Sequence, residues 1–382
     1  SLLKKFGLSK VKRPNGKLVW INGVSIGEAK SGVSVAEEIL KYNSNTTILF
    51  TTSTLTAFEI ISGLKKNFII TYTPIDINFI VKRFIKSWKP DLTIFMESEI
   101  WPNIISEHKK NNISFSILNG RISKKSYIFW KKISFFSKEI FTNINLCFVQ
   151  NQESKNYFES LGVSNVTLIS NLKFINSSRK IDKNEYHSLK KILSKKLVIT
   201  LFSSHEEEEL VLINCYKNLK KKFSNLIFII IPRHIHKSNQ IMLNLKNHSI
   251  DFALRSKDKN NINEKNFYIV DTYGELNLFF KLSHAAIVGG SFKKIGGHNP
   301  IEISNYDCVL FFGPEMFNFN QIKEIILKKK AGFEVNNHED LTKKITFILN
   351  NKKLKEQTII NFKKLCKEEA LKVKKVLKNF SI

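Results

Sequence analysis

Short apolar runs alternate along this chain with segments whose apolar positions recur at helical spacing. Leu18–Asn22 is apolar and stops at Gly23, and Ser31–Tyr42 carries Val35, Ile39 and Leu40 on one helical face. Thr46–Thr51 is β-branched and apolar, Thr54–Leu64 is helical, and Phe68–Tyr72 is a further strand. Ile77–Trp88 is an amphipathic helix ended by Lys89-Pro90, and Leu92–Met96 is a strand before a helix over Trp101–Asn111. Ser114–Leu118, Leu146–Gln150 and Val166–Ile169 read as strands, and Ser126–Phe141 as one helix. Strands of about five residues separated by helices predict βαβ units and parallel sheets.

The pattern lapses over Ile175–Lys183, which is polar and unpatterned, and then resumes. Leu197–Phe202, Leu226–Ile231, Phe252–Leu254, Phe267–Val270, Ala285–Val288 and Cys308–Phe311 are predicted strands. Helices are predicted over Glu206–Lys222, Ser238–Asn247, Leu276–Lys281, from Pro300 to Ser304 and over Asn320–Lys330, with two or three more in the Lys-rich tail from Leu341. A chain of 382 residues exceeds what one core usually holds, roughly 250–300. The expectation is therefore an α/β protein of two doubly wound domains facing a central cleft, 1–174 and 175–382, with the last helix free to pack back on the first domain. No run of about 18 apolar residues occurs to span a bilayer, and no signal peptide is evident.

In open parallel sheets ligands gather where strands end at their carboxyl side, so those positions hold the candidate chemistry. Glu28, after the first strand, can take a proton from a hydroxyl or complement a helix N-terminus. Glu97 and Glu99 follow the strand Leu92–Met96, and they suit either catalysis or capping near Trp101-Pro102. Lys173, after Val166–Ile169, can stabilise a leaving phosphate, or it is one lysine among many. Arg233, in Ile231-Pro-Arg-His234, can fork to a phosphate. Ser204 and His205 stand at a helix start, where anion binding and a capping box fit equally. Gly289-Gly290-Ser291 and Gly296-Gly-His-Asn-Pro-Ile-Glu302 form the strongest local signal: glycines permit close backbone approach, Pro300 suits a first helical position, and Glu302 can meet ribose hydroxyls. An ordinary glycine-rich loop capped by Asn299 is the plainer account.

The net charge of +28 suits contact with phosphates, but only six of the 61 basic residues are Arg, and Asn, Ile, Phe and Lys abound throughout. Compositional drift explains such Lys richness better than a phosphate reader does, since phosphate readers favour Arg. Cys147, Cys215, Cys308 and Cys366 form no CxxC, which argues against zinc and disulfides and for a reducing compartment. Basic and aromatic residues over Ser126–Lys138 fit a membrane-facing helix and a buried core helix equally.

Taken in order, ten segments resemble the 3-deoxy-D-manno-octulosonic acid (Kdo) transferases, glycosyltransferase family 30. They are Val24–Glu28, Met96–Asn103, Asn119–Ser123, Leu172–Phe174, Ser203–Glu209, Pro232–His234, Asp271–Leu276, Gly289–Ser291, Gly296–Glu302 and Gly313–Phe319. The resemblance implies the GT-B architecture and inverting transfer of Kdo from CMP-Kdo to the lipid A precursor lipid IVA, at the cytoplasmic face of the bacterial inner membrane. It implies no metal and no cofactor beyond the donor. It implies Glu28 as general base and Glu97 and Lys173 as transition-state support. It implies donor contacts from Pro232, Arg233, Tyr273, Gly274, Glu275, Asn299, Pro300, Ile301 and Glu302. Ser25, Glu99, Arg121, Ser204, His205, Gly290 and His298 are further candidate substrate contacts. The chain departs from the family pattern at Gly120 and Glu207, at Tyr273, and in having no amino-terminal hydrophobic anchor in this sequence. Two other readings stand beside it: another GT-B sugar-nucleotide transferase or epimerase, which would prefer UDP, and a basic nucleic-acid-binding protein, for which no recognition motif appears.

Overall fold

The computed structural model describes residues 5–7, 11–64, 68–97, 99–175, 181–259 and 261–380. These residues form two compact units: those up to 175 together with the carboxyl-terminal stretch from 369, and those from there to 368. The polar segment Ile175–Lys183 lies at this division, and its residues 176–180 are outside the described residues.

The first unit is a seven-stranded, all-parallel sheet. Its strands are β1 (Leu18–Asn22), β2 (Thr47–Thr52), β3 (Ile69–Tyr72), β4 (Leu92–Met96), β5 (Ser114–Gly120), β6 (Leu146–Val149) and β7 (Val166–Leu168). Their spatial order is β3-β2-β1-β4-β5-β6-β7. β1 and β4 are buried along their whole length, as expected of strands covered on both faces by helices. The crossovers are α1 (Ile26–Tyr42), α2 (Leu55–Gly63), α3 (Asn78–Trp88), α4 (Pro102–Lys110), α5 (Lys124–Lys132), α6 (Ser134–Phe141) and α7 (Gln152–Leu161). Val373, Leu377 and Phe380 from the chain's end join the apolar layer under α1, and the Phe380 ring meets Phe148 edge-on at 5.4 Å.

His108 of α4 is fully buried in the other layer. Its Nδ1 lies 2.7 Å from the Ile104 carbonyl and its Nε2 2.8 Å from Thr93 Oγ1, so Nδ1–H donates to the carbonyl and Nε2 accepts the hydroxyl. Burial pulls its pKa down to about 4. In an unfolded chain the ring titrates near 6.5, so on acidification the unfolded state takes the proton first. Stability from a neutral His108 is complete above about pH 6.5 and is lost as pH falls toward 4, by about 3 kcal/mol at the acid end. Unfolding midpoints measured across that window will fall in the wild type and flatten in His108→Gln.

The second unit repeats the plan. Its strands are β8 (Leu197–Ser204), β9 (Leu226–Pro232), β10 (Phe252–Leu254), β11 (Phe267–Ile269), β12 (Ala285–Val288), β13 (Val309–Phe312) and β14 (Phe333–Glu334), in the order β10-β11-β9-β8-β12-β13-β14, all parallel. Its helices include α8 (Lys183–Leu193), α9 (Glu208–Leu219), α10 (Ser238–Asn247), α11 (Leu276–Leu282), α12 (Asn320–Lys328) and α13 (His338–Asn350), and the long α14 (Lys352–Leu377) begins in this unit and ends in the first.

Four expectations are corrected. The single helix over Ser126–Phe141 is two, α5 and α6, because Ile133 leaves the helical region at ψ 47°. The helix over Glu206–Lys222 begins only at Glu208, because Glu207 sits at φ 66°. Pro300 opens a single 3-10 turn, Pro300–Ile303, rather than a helix. The helix α8, capped by Asp182, lies where no regular element was expected, because its polar start hides the pattern.

Candidate functional site

The strand order switches direction between β1 and β4 in the first unit and between β8 and β12 in the second, where β11 is also inserted between β9 and β10. Such a switch point opens a crevice at the carboxyl ends of the two strands, where open parallel sheets take their ligands. The segments with candidate chemistry occupy both crevices.

In the first unit, β1 runs into Gly23–Ser25 and then α1. Ser25 is the N-cap: its Oγ accepts the Glu28 N–H at 3.2 Å, and Glu28 returns the bond, accepting Ser25 Oγ–H and the Val24 N–H, each at 2.9 Å. This is a reciprocal capping box. It fixes the Glu28 carboxylate, 9% exposed, over the end of β1. From β4 comes Glu97, in the left-handed region at φ 58° and with its N–H still bound to the Leu118 carbonyl. Burial pushes the Glu97 carboxyl above its ordinary range and the Glu28 charge adds to that. Arg121, Lys173 and a hydrogen bond from Asn119 pull the other way. Asn119 is itself at φ 65°, at an irregularity of β5. Glu99 is likewise raised by burial and by Glu28 and Glu97, against a 2.6 Å bond from Trp101 Nε1–H. Lys173 sits in a 3-10 turn pinned by buried Leu172 and Phe174. Glu28, Glu97, Glu99, Arg121 and Lys173 are thus one electrostatic cluster of three carboxylates and two cations. Ser98, between two of these acids, is outside the described residues.

In the second unit, β8 bends at Ser203, φ 54°, and leads to Ser204 and His205. Gly289 at the end of β12 is required by contact: a Cβ there would stand 2.2 Å from the Ser203 carbonyl oxygen. Glu208, 1% exposed, holds the two loops together. Its carboxylate accepts the N–H groups of Gly290 (2.7 Å), His205 (2.9 Å) and Phe292 (3.2 Å). Burial raises its pKa while these donors oppose the rise. The capping box proposed for Ser204 is absent: its Oγ is buried with no hydrogen-bond partner, and the Glu208 carboxylate takes the capping position.

His205 and His298 meet Nε2 to Nε2 at 2.8 Å with parallel rings, so one ring donates its proton to the other. Burial, then the neighbouring His205, Arg233 and His234, brings His298 down to about 4; burial also lowers His205. The pair is therefore neutral near pH 7. Arg233 is exposed beside it, with its N–H on the Ser204 carbonyl. Ser204, His205, Glu206, His234, Lys237, Lys293 and Ile295 line a hollow of about 290 Å³. A larger hollow of about 590 Å³, walled by Lys86, Asp91 and Glu107 among others, lies near the amino ends of β4 and β5. That is the wrong end of a parallel sheet for a ligand.

Tyr273 and Gly274 are exposed, with Gly274 at φ 87°. Glu275 is committed elsewhere: Arg255 Nε and Nη2 donate to its carboxylate at 3.0 and 2.7 Å, and Nη2 also reaches Glu185 at 2.8 Å. Burial alone would lower the Arg255 pKa, but these carboxylates more than offset it and hold the pKa above its ordinary value. Arg255→Met will strand the two acids and lower the unfolding free energy of the second unit by about 2–3 kcal/mol in denaturant titration, below the full cost of a broken buried pair because Glu185 and Glu275 reach solvent. Asn299 Oδ1 accepts the Ile301 N–H, Pro300 is buried, and Ile301 is fully buried with its carbonyl bonded to the Ser304 N–H. Pro232 is buried as the last residue of β9.

Sequence reasoning passed over Glu208, Arg255, Asn119 and His108. Within the run Glu206–Glu209, the helical spacing of Glu208 and Glu209 with Leu212 is the signal that marks these two as inward-facing. Among the described residues no group of three or more His, Cys, Asp or Glu side chains is arranged to hold a metal. All four cysteines are free and buried.

Residues 1–176 match the family model described as 3-deoxy-D-manno-octulosonic-acid transferase (kdotransferase). The 3-deoxy-D-manno-octulosonic acid transferase of Rickettsia conorii is 34% identical over 343 residues, covering 90% of this chain and 74% of its own. That of Haemophilus influenzae is 29% identical over 364 residues, covering 92% and 83%. Among solved structures, a glycosyltransferase from Rickettsia africae aligns over 95% of this chain and 99% of its own with a TM-score of 0.61 at 15% identity. The UDP-GlcNAc 2-epimerase from Neisseria meningitidis aligns over 94% and 100% with a TM-score of 0.59 at 13% identity. The structural likenesses show the fold, an α/β protein of the GT-B class.

Proposed function

Since the chain belongs to the family of 3-deoxy-D-manno-octulosonic acid transferases, we propose that it transfers Kdo from CMP-Kdo to a hydroxyl of lipid IVA with inversion at the anomeric carbon, Glu28 acting as general base. The observation that carries this reading is the cluster at the β1/β4 switch point, where Glu28 is fixed among Glu97, Glu99, Arg121 and Lys173. CMP is a good leaving group, so the protein's tasks are to orient donor and acceptor, remove one proton and offset developing charge.

In this reading Glu28 accepts the hydroxyl proton. Its two capping bonds hold the carboxylate in place. Lys173 and Arg121 balance the negative charge that gathers on a phosphate or on the Kdo carboxylate, and Glu97 supports the transition state through them. Ser25 holds the base. In the second unit Arg233, the neutral His205–His298 pair, Gly290, and the turns at Tyr273-Gly274 and Asn299–Glu302 form the proposed donor cradle, with Pro232 shaping the strand end. Glu275 contributes there by fixing Arg255 and the turn. No resident cofactor belongs to the proposal, and the acceptor places the protein at the cytoplasmic face of the inner membrane.

Competition binding with CMP and UDP, followed by NMR of the sugar linkage formed on lipid IVA, tests the reading. Preference for CMP and a product anomer opposite to the donor's are expected. Tighter UDP binding, or retention of configuration, would refute it.

A further inference from the structure

The helical pair α5–α6 carries a surface that the chemistry above does not use. Tyr127 and Trp130 are the inward residues of α5: Tyr127 stacks on Tyr157 at 4.2 Å and Trp130 meets Phe141 edge-on at 5.4 Å. The opposite face presents Lys125, Ile128, Phe129 and Lys132, at the i, i+3, i+4, i+7 spacing of one stripe, and no residue of α5 is buried. At the break and along α6 follow Ile133, Phe135 and Phe136, with Phe135 92% exposed. Lys124, Lys131 and Lys138 are exposed as well, against one exposed acid, Glu139. Soluble surfaces seldom gather so many large apolar groups in one stretch. Apolar side chains ringed by lysines are the composition of an interfacial helix on an anionic bilayer.

Position supports the same occupant. The pair starts directly after β5, at the carboxyl edge of the sheet that also carries Glu28 and Glu97. Along that edge, after β2 and β3, Leu55, Ile75, Ile77 and Phe79 are exposed too. Among the described residues no helix is long and apolar enough to cross a membrane, so a docked face is a physically different mode of attachment from a span.

We propose that the α5–α6 face is a docking surface for an anionic phospholipid bilayer: Phe129, Phe135 and Phe136 enter the headgroup boundary, and Lys125, Lys131, Lys132 and Lys138 bind lipid phosphates. The inference deepens the functional reading and rests on it only for the identity of the substrate drawn from that bilayer.

The test is co-sedimentation of the full chain with vesicles of phosphatidylcholine alone and of phosphatidylcholine mixed with phosphatidylglycerol. Binding to the mixed vesicles that weakens with salt is expected, with little binding to neutral ones. Phe135→Ser/Phe136→Ser should bind mixed vesicles at least about tenfold more weakly, given the apolar area withdrawn. Its thermal unfolding should be unchanged, since both side chains are exposed. Lys131→Glu/Lys132→Glu should lose the preference for phosphatidylglycerol. Wild-type binding by either variant, or equal binding to both vesicles, overturns the proposal. So does a concentration-dependent dimer that the Phe variant dissociates without loss of vesicle binding, for then a second copy covers the face. Transfer to detergent-dispersed lipid IVA should be equal in wild type and the Phe variant. A wild type that docks as described yet transfers nothing would refute the transferase reading and leave the docking surface standing.

Discussion

Glu28→Gln will slow Kdo transfer by at least about 100-fold while leaving the fold as stable as the wild type. The two halves of that expectation come from the two lives of one carboxylate. As the third residue of α1, Glu28 closes a capping box with Ser25. Glutamine can close the same box with one bond reversed: its Oε1 accepts the Val24 N–H, and its Nε2–H donates to Ser25 Oγ, which now acts only as acceptor. In its proposed role as base, Glu28 would hold a proton lost by the acceptor hydroxyl, which an amide cannot do, and removal of general-base catalysis costs roughly 10²–10⁴ in rate. Parallel measurement of turnover and thermal unfolding separates the roles. A Gln variant with full stability and near-wild-type turnover would leave Glu28 as a helix cap alone. A Glu28→Ala variant loses both functions, and its unfolding free energy should drop by about 1 kcal/mol from the cap.

Glu208→Ala will lower the unfolding free energy of the second unit by about 4 kcal/mol and weaken donor binding. The Glu208 carboxylate is the acceptor for three N–H groups drawn from two loops, those of His205, Gly290 and Phe292. Removing it leaves up to three donors without their partner, at about 1–3 kcal/mol for each that stays buried. Water entering the vacated space recovers part of that cost. The loops held by this carboxylate bear the His205–His298 pair, so the fall in affinity for CMP-Kdo should appear mainly in KM. Glu208→Gln should recover most of the stability, since one amide oxygen still accepts from the two donors now bound to Oε2. Equal stability of wild type and the Ala variant in denaturant titration would contradict the clamp.

Much of this architecture was legible in the residues. Runs such as Leu92–Met96 and Ala285–Val288 carry strand length and apolarity in plain view, and each ends at a residue the account uses. What the sequence concealed was which polar groups are already committed. Glu28 reads as a loop acid, yet its carboxylate is bonded at both oxygens. Glu275 reads as a donor contact, yet Arg255, twenty residues earlier, holds it in two hydrogen bonds that no local spacing announces. The break at Ile133 was invisible because a β-branched residue inside an amphipathic run does not by itself end a helix. The strained backbone at Glu97, Asn119 and Ser203 was likewise beyond sequence reasoning, since none of these is glycine. All three stand at strand ends beside the proposed chemistry, where strain of this kind tends to collect.

Histidine content hid a further distinction. His108 and His298 share a pKa near 4, both by burial. His108 is locked between backbone and Thr93 in the core, whereas His298 faces His205 beside Arg233 at the second switch point. Only the second is placed to meet a ligand.

The most direct measurement is the mass of lipid IVA after incubation with wild-type protein and CMP-Kdo in detergent. A mass gain of one or more Kdo residues, matched by stoichiometric release of CMP and abolished without donor, is the predicted result. Unchanged lipid in the presence of intact, folded protein would contradict it.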